Sequence, residues 1–204
     1  IGSRIFSAGV NDLNEKKEES KNVARRLARL TRRQYDRRRK RKRNLSTVLR
    51  ELNMFPSQDK DLGSFYRMNP YLLRKKGLDG QLTPLEFGRA LYQLNQHRGF
   101  KSSRKTTSED EDKGTIFDGD SKNSKPGINS LKEILSNGKY RTIGEYFASI
   151  KPRELRIRNR YIERQMFIDE FDKLWEIQQK FYPNILTEKN RKQIRDGIIF
   201  FQRP

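Results

Sequence analysis

The 204-residue sequence contains no cysteine, which excludes disulfide bonds and thiolate metal sites. It contains one histidine, His97, so a metal site built from several histidines is excluded as well. No apolar run approaches the roughly 18 residues that a membrane-spanning helix requires. A secretory signal is also missing, because no basic segment precedes an apolar stretch with a cleavage site. We therefore expect a cytoplasmic protein without membrane contacts.

Signatures of catalysis are scarce too. There is no glycine-rich phosphate loop of the Walker type. An acidic run, Glu109–Asp112, lacks the EF-hand spacing and lies in a polar stretch typical of a flexible loop. The sequence thus predicts no catalytic residue, no metal site and no cofactor within this chain.

Apolar residues are few, at 32% hydrophobic against 35% charged residues. This composition predicts several small helical units with wide polar faces rather than a single large core. The chain begins at Ile1 rather than Met, and it stops shortly after the apolar run Ile198–Phe201. We expect it to be a fragment of a longer protein.

What the sequence has in excess is positive charge. It holds 46 Lys and Arg against 26 Asp and Glu, which gives a net charge of +20. Between Lys21 and Arg43 there are 13 basic residues and one acid, Asp36, so this segment alone carries +12. Such an excess makes nucleic acid or an anionic membrane the default partner.

The basic segment is predicted to be a helix from Lys21 to Leu52. Proline and glycine are absent from residues 15–55, and Arg, Lys, Leu and Ala are strong helix formers. Apolar residues at helical spacing occur at both ends of the segment, and we expect both ends to be docked with a cationic middle exposed. They are Val23, Leu27 and Leu30 at the first end and Leu45, Val48 and Leu49 at the second.

The middle of this helix is electrostatically unfavourable on its own. Seven consecutive residues, Arg37–Arg43, are cationic, and like charges four residues apart each cost a few tenths of a kcal/mol. Phosphates would neutralise them, and Arg outnumbers Lys by 10 to 3 in the segment, which favours bidentate phosphate contacts. A solvated basic tail or a localisation signal is the alternative, although such tails usually lack apolar stripes.

Local signals along the rest of the chain predict helices, apart from a short strand at Arg4–Val10 and a flexible loop at 106–129. Several predicted helix starts carry capping residues. A further helix is predicted over about Met166–Phe181, and its apolar stripe indicates that its tryptophan lies in the core rather than stacking on bases. The predicted caps are Thr83, Ser130 and Thr142, and two further helices are predicted to start at Asn69 and near Thr187. The stripe is Phe167, Phe171, Leu174, Trp175 and Gln178.

Two further basic segments are candidate phosphate contacts. Gly99 is predicted to close the helix that starts at Thr83, with His97 and Arg98 in its last turn and Lys101–Lys105 directly after it. The segment Arg153–Arg164 is read as a loop whose arginines face phosphates or unstacked bases. An ordinary solvated loop remains the alternative for Lys101–Lys105, and a strand at Leu155–Ile157 is the alternative within the second segment.

The segment Ala24–Arg33 resembles the arginine-rich bridge helix of the RNA-guided DNA endonucleases of type II CRISPR systems. The resemblance extends over nearly the whole chain in the order that this family, and in particular its compact II-C branch, shows. The matching segments are Leu82–Phe87, Leu91–Phe100, Arg156–Asn159 and Phe201–Pro204.

The resemblance implies a mostly α fold, in which a long arginine-rich helix is followed by a multi-helix recognition domain. Residues 1–14 would be the end strand and linker of a split RuvC-like nuclease domain, 15–55 the bridge helix, and 56–204 the helical recognition lobe with its loop at 106–129. The first catalytic aspartate would lie upstream and the HNH domain downstream, so this fragment would not be an enzyme. Its parent would be a bacterial, Mg²⁺-dependent nuclease of antiviral defence.

The resemblance also implies partners. In that family the bridge-helix arginines hold the seed backbone of the guide RNA, and the recognition lobe grips the repeat–anti-repeat duplex and the guide–target heteroduplex. We thus expect guide RNA, the target DNA strand, the remaining nuclease domains and a phage-encoded inhibitor protein as partners. The predicted RNA-binding residues are Arg25, Arg26, Arg29, Arg32, Arg33, Arg37, Arg41, His97, Arg98, Lys101, Ser102, Arg104, Lys105, Arg156, Arg158 and Arg160.

Two other functions stay open from the sequence. One is a free-standing RNA-binding protein, ribosomal in style, whose basic helix threads structured RNA. The other is a docking surface for an acidic protein, such as the phage inhibitor, which is compatible with RNA binding by the same chain.

Overall fold

The computed structural model describes residue 20 and residues 22–99, 128–150 and 162–201. The predicted strand at Arg4–Val10 lies outside these residues. The chain divides into two compact units, residues 1–41 and residues 42–204. In the described ranges, no helix combines the length and the apolar character that crossing a membrane demands.

The arginine-rich segment forms helix α1, Val23–Glu51, which confirms the predicted helix with a start two residues later than Lys21. The Val23 N–H donates to the Ser20 carbonyl at 2.8 Å. Since strong helix formers and no glycine or proline follow, the helix continues without interruption to its last turn.

The end of α1 is set by Asn53, which adopts the left-handed conformation at φ 55°. The N–H of Met54 donates to the Leu49 carbonyl at 2.7 Å, and the N–H of Asn53 donates to the Arg50 carbonyl at 3.0 Å. This is a Schellman motif, for which asparagine is the usual substitute for glycine.

The unit of residues 42–204 contains seven further α-helices in the described ranges. Helix α3 packs against α4, α6 and α7, and α4 also contacts α2 and a π-helical turn that follows α8. The helices are α2 Leu62–Arg67, preceded by a 3₁₀ turn at Asp59–Asp61, α3 Pro70–Asp79, α4 Pro84–Gln96, α5 Ile128–Ser136, α6 Ile143–Ser149, α7 Arg164–Gln179 and α8 Glu188–Ile194, with the π-helical turn at Arg195–Ile199.

Capping side chains start most of these helices as predicted. Asn69 accepts from the Tyr71 N–H at 3.0 Å, and Thr83 and Glu86 form a complete capping box. Thr142 caps α6, but the Glu145 side chain accepts from the Arg141 N–H at 2.8 Å rather than from the cap, so only half of that box is made. Thr187 caps α8.

Three predicted boundaries are wrong. Helix α5 begins at Ile128, so Ser130 lies inside it, and residues 128 and 129 belong to this helix rather than to the predicted loop. Helix α4 ends at Gln96 with His97 as its C-cap, so His97 and Arg98 follow the last turn. Gly99 has φ 77° but lies one residue beyond the C′ position, which Arg98 occupies.

The prediction of separate small cores is wrong as well. The described apolar side chains of residues 42–204 form one continuous core, which runs from Leu45 on α1 to Phe200 after the π-helical turn. The predicted stripe of α7 is buried throughout, with Trp175 at 0% exposure.

Close approach between segments also shapes this core. Gly88 of α4 faces the turn after α1, and a Cβ atom on it would lie 1.7 Å from the Met54 carbonyl oxygen. No side chain fits there without moving the backbone. The glycine therefore lets α4 pack directly against the end of α1, where Met54 and Phe55 are buried.

Candidate nucleic-acid interface

The cationic part of α1 is exposed over every turn. All residues from Ala24 to Lys40 are exposed, and Arg41 is partly buried. Six of the seven predicted contacts on this helix are therefore accessible along their side chains; they are Arg25, Arg26, Arg29, Arg32, Arg33 and Arg37.

These six arginines form no ion pair with any acid in the described part of the chain. Asp36 lies among them in sequence, yet it too makes no ion pair with a described residue. A guanidinium group carries five N–H donors, and all six of these residues are exposed. The repulsion between them is thus not relieved by neighbouring described carboxylates.

One part of the sequence prediction for α1 is wrong. Leu27 and Leu30 are 58% and 53% exposed, so the first end of the helix is not docked on the described residues. At the other end, Leu45 and Leu49 are fully buried and Val48 is 8% exposed, as predicted. An apolar residue at helical spacing shows which face would be buried, but it does not show that a neighbour is present.

The predicted contacts after α4 have different surroundings. His97 is exposed at the C-cap of α4. Arg98 is half-buried, and its guanidinium donates to the carbonyls of Ile199 at 3.2 Å and Phe201 at 3.0 Å. Arg98 therefore ties α4 to the segment after the π-helical turn. The remaining predicted contacts lie outside the described residues: Lys101, Ser102, Arg104, Lys105, Arg156, Arg158 and Arg160.

A second cationic cluster was missed in the sequence. Four aromatic rings from the turn after α1, from α2 and from α4 contact one another, and three cations lie against them. The rings are Phe55, Phe65, Tyr66 and Tyr92; the cations are Lys42, Arg50 and Arg89. These basic and aromatic residues come from four separate segments of the sequence. Nothing in their spacing indicates that they lie together in the fold.

Metal chemistry finds no support in these residues. Across the described ranges, no three His, Asp or Glu side chains come together as a metal site would require.

Comparison with known proteins decides the family. No family model matches the chain. The CRISPR-associated endonuclease Cas9 of Campylobacter jejuni is 31% identical over 153 residues, which is 71% of this chain and 14% of that protein. The chain belongs to the Cas9 family. This confirms the resemblance to the type II CRISPR endonucleases and their compact branch.

Solved Cas9 structures contain the same fold. A crystal structure of Campylobacter jejuni Cas9 in complex with sgRNA and target DNA superposes with a TM-score of 0.68 at 22% identity, over 93% of this chain and 26% of that one. An assembly of St1Cas9 with sgRNA, tDNA20 and AcrIIA6 gives 0.61 at 21% identity, over 90% of this chain and 21% of that one. At such identities the likeness establishes the fold, and the chain spans about a quarter or less of these Cas9 proteins.

Proposed function

We propose that this Cas9 segment is the guide-RNA-binding part of an RNA-guided DNA endonuclease. In this proposal residues 15–55 are the bridge helix and residues 56–204 belong to the recognition lobe, as the order of the matching motifs suggests. The observation that carries the proposal is the run of exposed arginines on α1 without acid partners among the described residues. Guanidinium groups so arranged bind phosphate oxygens through charge-assisted, bidentate hydrogen bonds.

The partners named for the matched structures support this proposal. The Campylobacter jejuni Cas9 structure contains sgRNA and target DNA. By analogy, the exposed arginines of α1 contact the guide backbone, and the recognition lobe contacts the guide–target heteroduplex. Base pairing reads the sequence in such complexes, whereas the protein reads the shape and backbone of the nucleic acid.

The nuclease activity is placed outside this chain. Purified chain incubated with Mg²⁺ and a labelled DNA duplex should leave the duplex intact. Metal-dependent cutting that co-purifies with the chain through several columns would contradict this assignment.

Binding of a defined RNA tests the proposal. The probe is a hairpin RNA with a 20-nucleotide single-stranded extension, labelled for fluorescence anisotropy. A variant with Arg25, Arg29, Arg32 and Arg33 replaced by Ala should bind it much more weakly than the parent chain. The matched control replaces four exposed lysines of the other unit, Lys60, Lys75, Lys180 and Lys189, by Ala and removes the same charge.

Each outcome of this comparison has a clear meaning. A large loss in the arginine variant and a small loss in the lysine control supports a phosphate-binding helix. Equal losses in both variants would mean that net charge alone attracts the RNA, and the assignment of α1 would fail. Far-UV circular dichroism of both variants shows whether α1 remains helical.

An acidic inhibitor protein is a second candidate partner. The St1Cas9 assembly that matches this fold includes AcrIIA6. Exposed arginines attract an acidic protein surface as well as phosphate. Competition separates the two, since an RNA-binding helix should release a poly-glutamate peptide when the hairpin RNA is added, whereas a surface selective for proteins should retain it.

A further inference from the structure

A buried arginine without a counter-charge lies beside the aromatic cluster of α2 and α4. Arg89 is 9% exposed, and its Nε and Nη1 atoms are buried without a hydrogen-bond partner. Its guanidinium makes one long hydrogen bond, 3.5 Å to the Tyr66 carbonyl. Burying a charge is costly unless it is paired, and buried arginines are therefore usually paired with carboxylates. No described acid pairs with Arg89.

Aromatic rings offset part of that cost. The guanidinium carbon of Arg89 lies 5.9 Å from the ring centre of Phe65 and 6.0 Å from that of Tyr66. Burial lowers the pKa of Arg89, and tyrosines are the groups whose charge opposes this shift. A positive charge held in this way raises the electrostatic potential at the nearby surface.

That surface is formed by Tyr66, which is 45% exposed. The centre of its ring lies 5.6 Å from that of Phe65, in an edge-on contact, and 5.7 Å from that of Tyr92. The hydroxyl oxygens of the two tyrosines lie 3.2 Å apart. The ring is therefore held in one orientation by two neighbours while almost half of the residue stays open to solvent. A fixed, exposed ring of this kind is what base stacking requires.

Lys42 adds an accessible cation to the same place. Its ammonium nitrogen lies 5.7 Å from the ring centre of Tyr92. Burial raises the pKa of Tyr66, and the nearby charges of Lys42 and Arg89 act on its hydroxyl in the opposite direction. Lys42 is exposed and forms no ion pair with a described acid. Two cations without acid partners thus flank one open aromatic ring.

We propose that Lys42, Tyr66, Arg89 and Tyr92, the tyrosine platform, bind one nucleotide of single-stranded RNA. The base stacks on the open part of Tyr66, and the phosphate lies at the Lys42 ammonium. Tyr92 and Arg89 are positioning residues, because both are too buried to carry the contact themselves. The inference rests on the proposed RNA-binding function but uses residues outside the arginine set of α1.

An RNA nucleotide fits this platform better than an acidic peptide does. Every base offers a flat π-face, and stacking on an aromatic side chain makes a large contribution to affinity for single strands. A carboxylate would contact Lys42 but leave the exposed ring of Tyr66 unused. The surface thus combines one stacking position and one phosphate position, which are the two parts of a nucleotide.

Affinity for a 20-nucleotide single-stranded RNA tests the platform. Tyr66→Ala should weaken binding by about 5- to 100-fold, the range expected for one lost stacking contact. Tyr66→Phe keeps the ring and should bind within about twofold of the parent chain. Phe181→Ala is the matched control, because Phe181 is an aromatic residue with a similar exposure of 44%, in the segment after α7.

Crosslinking gives a readout that a merely structural role would not produce. The same RNA with 5-iodouridine in place of uridine should, on irradiation, form an adduct that mass spectrometry maps to the peptide containing Tyr66. The adduct should be retained in the single-substitution control Lys60→Ala and lost in Tyr66→Ala. Thermal melting of each variant shows whether it is folded.

Three results would overturn the platform. The first is adducts confined to other peptides, and the second is unchanged RNA affinity in Tyr66→Ala. The third is a Tyr66→Ala variant that loses binding to poly-glutamate but keeps its binding to RNA. The arginine variant of α1 separates this failure from failure of the proposed function. If that variant loses RNA while Tyr66→Ala does not, the platform alone is wrong; if the arginine variant binds normally, the function assigned to α1 is wrong.

Discussion

Arg74 of α3 and Glu170 of α7, 96 positions apart in the sequence, form an ion pair in which both side chains are fully buried. The Nε atom of Arg74 donates to Oε1 of Glu170 at 2.9 Å, and its Nη1 atom donates to Gln93 at 2.6 Å. The Thr142 hydroxyl donates to the same carboxylate at 3.2 Å. This network joins α3, α4 and α7 to the start of α6, and so it holds these four helices together.

Removing one partner of the buried pair should be strongly destabilising. Glu170→Ala leaves the Arg74 charge buried without compensation, which costs about 3–5 kcal/mol in the free energy of unfolding. The control is Lys132→Ala, which breaks an exposed pair with Glu163 and should cost less than about 1 kcal/mol. Urea denaturation measures both values, and similar losses in the two variants would refute the structural role of the pair.

Gly144 should tolerate no side chain. A Cβ atom there would lie 2.0 Å from Oε1 of Glu170 and 2.5 Å from Nε of Arg74. Gly144→Ala should therefore destabilise the chain by about 1–3 kcal/mol or more, because it overpacks the buried pair. Gly63→Ala is the control, since its Cβ would meet nothing within 4 Å and alanine favours helix α2. Equal melting temperatures for the two variants would argue against this packing.

Stability should fall at acidic pH partly because of Glu145. The hydrogen bond from the Arg141 side chain lowers the pKa of Glu145, against the opposing effect of burial. The pKa of a glutamate in the unfolded chain is about 4.3. A carboxylate whose pKa is lower than this in the folded chain contributes its full stabilisation at pH values above the unfolded pKa. That contribution is lost as the pH falls through the folded pKa. The free energy of unfolding should therefore decrease below about pH 4, and Glu145→Gln should show a smaller decrease. An identical pH profile for the variant would exclude this origin.

Trp175 reports on the core and should not respond to RNA. It is the single tryptophan of the chain, it is fully buried, and it stacks on Phe171 with ring centres 5.5 Å apart. Its fluorescence emission should be blue-shifted and protected from acrylamide. Addition of the hairpin RNA should leave the emission maximum unchanged. A shift or strong quenching would instead indicate that Trp175 contacts RNA bases, which its burial in the core argues against.

Much of the fold follows from local signals in the sequence. The helix at Val23–Glu51 is predicted by its composition, and the cap at Thr83 is predicted by a Thr-Pro-x-Glu pattern in which both hydrogen bonds are local. The buried stripe of α7 is predicted by its 3.6-residue period. Each of these depends on contacts within a few residues, which the sequence displays directly.

The parts that could not be predicted depend on contacts between distant segments. Neither Arg74 nor Glu170 stands out in the sequence, because a buried charge looks like any surface charge until its partner is known. The same holds for the platform, where Lys42, Tyr66 and Arg89 come from three segments. Leu27 and Leu30 show the opposite case, because their helical spacing predicted a docked face and the described residues supply no neighbour for it.

The salt dependence of RNA binding tests the central claim most directly. Displaced counterions give a slope of log affinity against log salt concentration that counts neutralised phosphates, and about six contacts predict a slope of roughly −4 to −5. The probe is the hairpin RNA with its 20-nucleotide single-stranded extension. Replacing Arg25, Arg29, Arg32 and Arg33 by Ala should make this slope about 3 units less negative. The four-lysine control should keep most of it. A slope that is unchanged in the arginine variant would contradict the account, because the exposed guanidinium groups of α1 would then not contact phosphate.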